Sequence, residues 1–382
     1  MAARNLPDPI LITNRDQLVS LADRLVRLPI VAVDTESNSL FAYREQVCLI
    51  QFTADGVDYL VDPLALDDLS PFAALFEEGA VEIVFHAAEY DIICLKRDFG
   101  YEFNNLFDTM VAARILGRRQ VGLGSLLEDE FGVHVEKRYQ RANWGQRPLP
   151  RHLLDYARLD THYLIELRDR LKRDLQKNGM WSLAVEDFER LKAIKGPKPN
   201  GAGGRGDHVN PWRVKGAYDL TARQAAVLLE LCRYRDQLAS SQNRPLFKVI
   251  NDSTLLSIAI MTPHNLGELS TIQGMSPKQV RRRGNNILRA VERGLKANAL
   301  YPPKPQKRDE QAMRRLDRLR RWRKETAMDL GVQSDVILPR SILYSLAENN
   351  PTSCEELSRE MDDVPWRLER FGGQILQVLS KG

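Results

Sequence analysis

The sequence predicts an α/β domain followed by two small all-α domains, and three observations carry that expectation. Short β-branched and aromatic runs bounded by turn residues are confined to the early part of the chain. Apolar residues at helical spacing take over after them. The tail then repeats itself at a shift of 88 residues.

The strand-like runs are Ile30 to Val33, Val47 to Phe52, Val57 to Val61 and Val81 to Phe85. Residues 87–97 and 152–174 carry the helical spacing, and strands followed by helices give an α/β domain over residues 1–195. The stretch GPKPNGAGGRGD from Gly196 to Asp207 has no periodicity and reads as part of a flexible linker over 196–210. Its glycines are no phosphate loop, because no strand precedes them and no GK[ST] follows. In the tail, Arg235 aligns with Arg323, Ala239 with Ala327, Ala259 with Ala347 and Pro263 with Pro351. Leu269 with Leu357, Gly284 with Gly372, Ile287 with Ile375 and Leu288 with Leu376 continue the match without a gap. Two copies of one helical module are therefore expected, at 211–298 and 311–382, joined by a proline-rich, semi-rigid spacer over 299–310. A chain of 382 residues with 43% hydrophobic content exceeds what a single core holds.

Net charge is +4, but unevenly placed: 25 basic against 31 acidic residues up to position 200, and 30 against 20 after it. An acidic half suits carboxylates that hold cations, and a basic half suits a polyanion such as nucleic acid; solvated faces are the structural reading of the same asymmetry. Cys48, Cys94, Cys232 and Cys354 lie far apart with no CxxC pair, so neither a zinc ribbon nor a disulfide framework is indicated and a reducing cytoplasm fits. No apolar run approaches about 18 residues, so neither export nor a membrane partner is expected.

Three acidic motifs carry candidate chemistry. Asp34 and Glu36 follow the apolar run from Ile30, and two residues apart on a strand they point the same way. Like charges held together there need a cation or a proton; an exposed acidic strand end is the alternative. Asp91, in FHAAEYDIICLKRDFG, falls on the first turns of a helix after the strand ending at Phe85, where it would equally suit the helix macrodipole. Tyr156 and Asp160, in LLDYARLDTHYLIEL, are four apart on one helix face, which an ordinary amphipathic helix also provides.

The set in this order, D-x-E on a first strand, Asp after a later strand and Y-x-x-x-D on a helix, resembles the three exonuclease motifs of the DEDD superfamily in its tyrosine branch. The stretches VCLIQF, LFDTMVAARIL, NWGQRPLP and YARLDTHYLIEL resemble the ribonuclease D family, and the duplicated tail resembles its paired helicase-and-RNase-D C-terminal (HRDC) domains. The resemblance covers nearly the whole chain. It implies a ribonuclease H-like exonuclease domain, a mixed sheet flanked by helices, ahead of the two helical domains. It also implies Asp34, Glu36, Asp91 and Asp160 as metal ligands, with Tyr156 orienting the attacking water. Asp155 stands where the histidine branch carries its histidine, which excludes that branch. His86 occupies a region where many relatives have asparagine and receives no catalytic role.

Hard oxygen ligands without Cys or His favour two Mg²⁺ or Mn²⁺ ions over Zn²⁺. The expected reaction is two-metal hydrolysis of a phosphodiester, with nucleoside 5′-monophosphates released one at a time from RNA with a free 3′ end. The family implies structured RNA such as tRNA precursors; no nucleotide cofactor is expected, and a helicase would need a Walker A loop that the chain lacks. Arg138, Arg141, Trp144 and Arg147 compose a candidate phosphate-contacting and base-stacking segment; a buried loop anchor is the other reading of Trp144. Arg281, Arg282 and Arg283, with Arg289 and Arg293, form one basic group of the tail, and the arginines from Arg314 to Arg323 another. Asp108 in LFDTM is expected to be structural. Two alternatives stand beside this reading: a 3′–5′ DNA exonuclease of repair or proofreading type, and a non-catalytic nucleic-acid-binding protein, against which the intact carboxylates argue.

Overall fold

The computed structural model describes residues 6–135, 137–196, 208–303 and 309–381. Most of the expected linker 196–210, and the centre of the spacer 299–310, lie outside the described residues.

A six-stranded sheet organises the first unit, in the order β1-β4-β3-β2-β5-β6. The strands are β1 Ile10–Ile12, β2 Ile30–Ser37, β3 Val47–Ala54, β4 Val57–Val61, β5 Glu82–Phe85 and β6 Leu106–Asp108. The sheet is mixed. β3 and β4 pair antiparallel across Asp55 and Gly56, whose φ angles of 48° and 72° make the two-residue turn that suits the twist of a hairpin. β1 runs parallel to β4, and β2, β5 and β6 are mutually parallel, with Val31 opposite Ile83 and Val84 opposite Phe107. Every residue of β3 is buried, as expected where helices cover both faces of a sheet. β1 and β6 were not among the expected strands: three residues are too few to show periodicity, and each exists through its partner.

Helices α1 Arg15–Leu25, α2 Ala73–Glu77, α3 Glu89–Phe99, α4 Thr109–Ile115 and α5 Leu123–Phe131 flank the sheet. The helix expected over 152–174 is three: α6 Arg151–Ala157, α7 Leu159–His162 and α8 Leu164–Lys177, with breaks at Arg158 and Tyr163. α8 lays Leu164, Leu167, Leu171 and Leu175 into the core, and α9 Trp181–Lys192 follows. Among the described residues no helix is long and apolar enough to cross a membrane.

Among the described residues, the second compact unit comprises 37–46 and 208–303. Its helices are α10 Ala222–Ser241, α11 Leu246–Val249, α12 Asp252–Met261, α13 Leu266–Ser270 and α14 Pro277–Lys296. The later copy, α15 Glu310–Leu330, α16 Ser334–Ile337, α17 Arg340–Asn349, α18 Cys354–Glu360 and α19 Pro365–Ser380, belongs to the first unit. The repeat extends to how the helices are closed. Thr262 and Asn350, 88 apart, both end a helix with left-handed φ (43° and 47°), and Asn265 and Ser353 both accept from the backbone of a glutamate three residues on. Arg235 donates to the carbonyl of Ile250, and Arg323 to that of Leu338.

The later module joins the sheet domain through a buried guanidinium. Arg367 is fully buried; it pairs with Glu186, donates to both carboxylate oxygens of Asp187 at 2.9 Å and donates to the carbonyl of Val336. Arg114 also pairs with Asp335, and Arg190 with Asp363.

Candidate active site

β2 leaves the core after Val33, and the next residues turn acidic. Asp34 and Glu36 line a cavity of roughly 490 Å³, together with Thr35, His86, Tyr156, Asp160, Gln140 and the segment from Gly122 to Ser125 at the start of α5. Thr35 lies between the two acids. Its hydroxyl donates to Asp91 Oδ1 at 2.5 Å, tying the first turn of α3 to the end of β2. Gln51 on β3 reaches Asp34 from its Nε2 at 3.4 Å.

The turn from β5 into α3 is held from behind by Asp108. Its carboxylate caps α4, accepting from Met110 and Val111, and also accepts from the amides of Ala87 (3.2 Å) and Ala88 (2.7 Å). Ala87 has φ 63°, a strained conformation for a residue with a Cβ, and these bonds hold it there. Asp108 thus supports the turn, a structural part of the kind expected once the four carboxylates were complete without it.

Asp160 stands on the four-residue α7, and the reason for that short helix is a buried polar network. Asp58 on β4 pairs with Arg158, contacts His162 Nδ1 at 2.9 Å and accepts from Thr53, whose hydroxyl lies 2.8 Å from that of Thr161. Arg158, Asp58 and Thr161 are all nearly inaccessible to solvent, so the turn at Arg158 is fixed against the sheet and Asp160 is presented to the cavity. Tyr156, one turn earlier, packs among Cys48, Leu49, Leu60, Trp144 and Leu153.

The electrostatics of the cluster are those of mutual repulsion between buried and half-buried carboxylates. Burial first, and then the charges of Asp91, Asp160 and Glu36, hold Asp34 well above the usual carboxylate range. Burial with Asp160 and Asp91 pushes Glu36 up to about 9. Burial and Asp91 push Asp160 up to about 8, and burial lifts Asp91 to about 7 against the Thr35 hydrogen bond. Burial and the three carboxylates Asp160, Glu36 and Asp34 raise the Tyr156 phenol, so it stays protonated.

Cations relieve such a set, and four carboxylates are the hard donors that suit Mg²⁺ or Mn²⁺. Among the described residues no three acidic, His or Cys side chains form a group able to hold one ion alone.

The expected nucleic-acid contacts divide. Trp144 is 1% exposed and packs beside Tyr156, so it is an anchor of the site wall and not a stacking platform. Arg147 is spent on the fold: it forks onto Asp62 and donates to the carbonyls of Cys48, Trp144 and Gln146. Arg283 is buried and donates to the carbonyl of Val249 at 2.7 Å. In the second basic run, Arg315 and Arg318 likewise close helix ends by donating to Ala347 and Val378. Arg141, Arg281 and Arg282 remain exposed. Composition singles out arginines but does not separate those facing solvent from those closing helices.

Three parts of the site were not singled out by the sequence. Gln140, within the candidate phosphate-contacting segment, lines the cavity and hydrogen-bonds Tyr156. The glycines of VGLGS bring backbone to the cavity wall, a signal readable only as Gly spacing before a helix. His86, which received no role from its sequence context, also lines the cavity.

The chain matches the family profile for a 3′-5′ exonuclease over residues 9–176, and the HRDC domain profile over 224–291 and 312–379. It is 32% identical over 306 residues to ribonuclease D of Gluconacetobacter diazotrophicus, covering 79% of this chain and 76% of that one. With ribonuclease D of Nitrobacter hamburgensis it shares 30% identity over 388 residues, 97% of each chain. The crystal structure of Escherichia coli RNase D, described as an exoribonuclease involved in structured RNA processing, superposes with a TM-score of 0.70 at 23% identity, over 98% of this chain and 99% of that one.

Proposed function

The chain belongs to the ribonuclease D family and is a 3′-5′ exoribonuclease; from that premise we propose that it uses two divalent ions, Mg²⁺ or Mn²⁺, to release nucleoside 5′-monophosphates from RNA with a free 3′ end. Its physiological work is 3′ processing of tRNA precursors and other structured RNAs in the cytoplasm. The observation that carries the chemistry is the convergence of Asp34, Glu36, Tyr156 and Asp160 on one cavity, with Asp91 bound to its rim through Thr35.

In this reading Asp34, Glu36, Asp91 and Asp160 hold the ions. The chemistry supplied by the ions when bound is a lowered pKa for the attacking water and compensation of charge on the leaving 3′ oxygen. Burial and the neighbouring carboxylates favour the protonated phenol, which suits a hydroxyl that holds the water by hydrogen bonding. The apolar packing around its ring and the Gln140 hydrogen bond fix the direction of its hydroxyl. Structured RNA as substrate is supported by the two helical domains, by exposed Arg281 and Arg282, and by the description of the E. coli relative.

The test is release of mononucleotides from a 3′-hydroxyl RNA in Mg²⁺ or Mn²⁺, run beside the same RNA blocked with a 3′ phosphate. Stepwise shortening of the first, arrested by EDTA, is expected; internal cleavage of both would overturn the proposal.

A further inference from the structure

We propose that His86 accepts a hydrogen bond from a ribose hydroxyl of the 3′-terminal nucleotide and so reads the sugar of the residue being removed. The inference rests on the exoribonuclease reading above and assigns a specificity determinant within it.

The geometry fixes which ring nitrogen carries the proton. Thr109 is fully buried, and its hydroxyl donates to the carbonyl of Phe85 at 3.0 Å. A carbonyl only accepts, so the single hydroxyl proton of Thr109 is committed to it. The Thr109 oxygen is then left to accept from His86 Nδ1, 2.9 Å away. Nδ1 therefore bears the hydrogen, and Nε2 is a bare acceptor on a ring that lines the cavity. Burial also favours the neutral ring. The backbone is equally committed: the amides of Ala87 and Ala88 are held by Asp108, so the imidazole is oriented before any ligand arrives.

An acceptor in this cavity selects for a donor. Phosphate oxygens only accept and are repelled by the Nε2 lone pair. Base edges offer different donors from one nucleotide to the next, which an enzyme working through any sequence cannot rely on. The 2′ and 3′ hydroxyls are the donors that every terminal ribonucleotide shares, and the 2′ hydroxyl distinguishes RNA from DNA. His86 lines the same cavity as Asp34, Glu36 and Asp160, so a terminal nucleotide whose phosphate reaches those carboxylates brings its sugar into the space that the ring also borders.

The experiment uses the full chain with Mg²⁺ and three RNA oligonucleotides differing only in the last sugar: ribose, 2′-deoxyribose or 3′-deoxyribose. Wild type is expected to lose about ten- to a hundredfold in kcat/KM on the substrate lacking the hydroxyl that donates to Nε2, since the oriented acceptor is left without its partner. Which substrate suffers identifies the hydroxyl. His86→Leu should lose a similar factor on the ribose substrate and then be nearly indifferent to the same deletion. His86→Gln, whose amide carbonyl can accept, should recover part of the discrimination. Equal cleavage of all three substrates by wild type overturns the proposal without recourse to any variant. A folded His86→Leu protein that keeps the wild-type ratio does so as well. If wild type releases mononucleotides from no RNA at all, it is the exoribonuclease reading that falls, and this proposal with it.

Discussion

The hydroxyl of Thr35 donates to Asp91 Oδ1 at 2.5 Å, so the residue between the first two acids grips the third. A carboxylate oxygen held in this way is aimed and partly stabilised in its charged form, which a metal ligand requires. Thr35→Val keeps the shape and deletes the donor. The Mg²⁺ concentration for half-maximal activity should rise about tenfold, with a smaller change in kcat at saturating metal. An unchanged Mg²⁺ titration would show that the bond does not serve the metal site.

Asp34→Asn and Asp160→Asn should each lower kcat by at least about a thousandfold while circular dichroism and RNA affinity in filter binding stay near wild type, because the lost interactions act on the reacting phosphate. Tyr156→Phe retains the packing among Leu49, Trp144 and Leu153, and should lose only about ten- to a hundredfold. Losses of equal size for Tyr156→Phe and Asp160→Asn would mean that the phenol does more than hold water.

Asp34, Glu36, Asp91 and Asp160 retain protons in the metal-free fold that the unfolded chain releases near pH 4. The native state then binds more protons than the unfolded one, so these groups make metal-free stability fall as pH rises from about 4 through the folded values of about 7, 8 and 9 for Asp91, Asp160 and Glu36. Divalent ions displace those protons, so the increase in Tm on adding Mg²⁺ should grow between pH 6 and pH 9. Thermal melts in EDTA and in Mg²⁺ across that range test it; a pH-independent increment would argue against ions bound at these carboxylates.

Asp58 and Arg158 form an ion pair with side chains 1% and 4% exposed. Asp58→Asn leaves the guanidinium uncompensated, at an expected cost of about 3–5 kcal/mol in unfolding free energy. Activity should fall with it, because the same network seats Asp160. Urea denaturation alongside an activity assay in native buffer checks both; full stability in the variant would remove the network from the account of α7.

Arg281 and Arg282 are exposed on α14, whereas their neighbour Arg283 is spent on Val249. Arg281→Ala with Arg282→Ala should weaken RNA binding and reduce the slope of log affinity against log salt by roughly 0.7–0.9 for each phosphate that is no longer neutralised. A double variant with the wild-type salt slope would place the RNA path elsewhere.

The sequence carried the site further than it carried the supports of the site. Asp34, Glu36, Asp91, Tyr156 and Asp160 stood out as an ordered set, and strand alternation and helix spacing bring four of them to one cavity. The break at Arg158 did not stand out, because apolar spacing runs unbroken across it. Its cause is a partner 100 residues away on β4. Trp144 and Arg147 misled for a related reason: Arg and Trp make the same composition whether they meet phosphates or, as here, an aspartate and a sheet. His86 drew no assignment because the comparison of its region with relatives that carry asparagine there gave it no catalytic role; its meaning comes from Thr109 and Phe85.

Arg367 gives the duplicated tail an asymmetry that its two matching copies do not announce. The later copy inserts a positive charge between Glu186 and Asp187 of α9, with no exposure to solvent. Cutting the chain ahead of α15 would therefore leave Glu186 without its arginine and Asp187 with only Arg190 beside it, in a half-built interface. For anyone dissecting this protein, the last seventy residues are part of the engine block and not an accessory bolted to it.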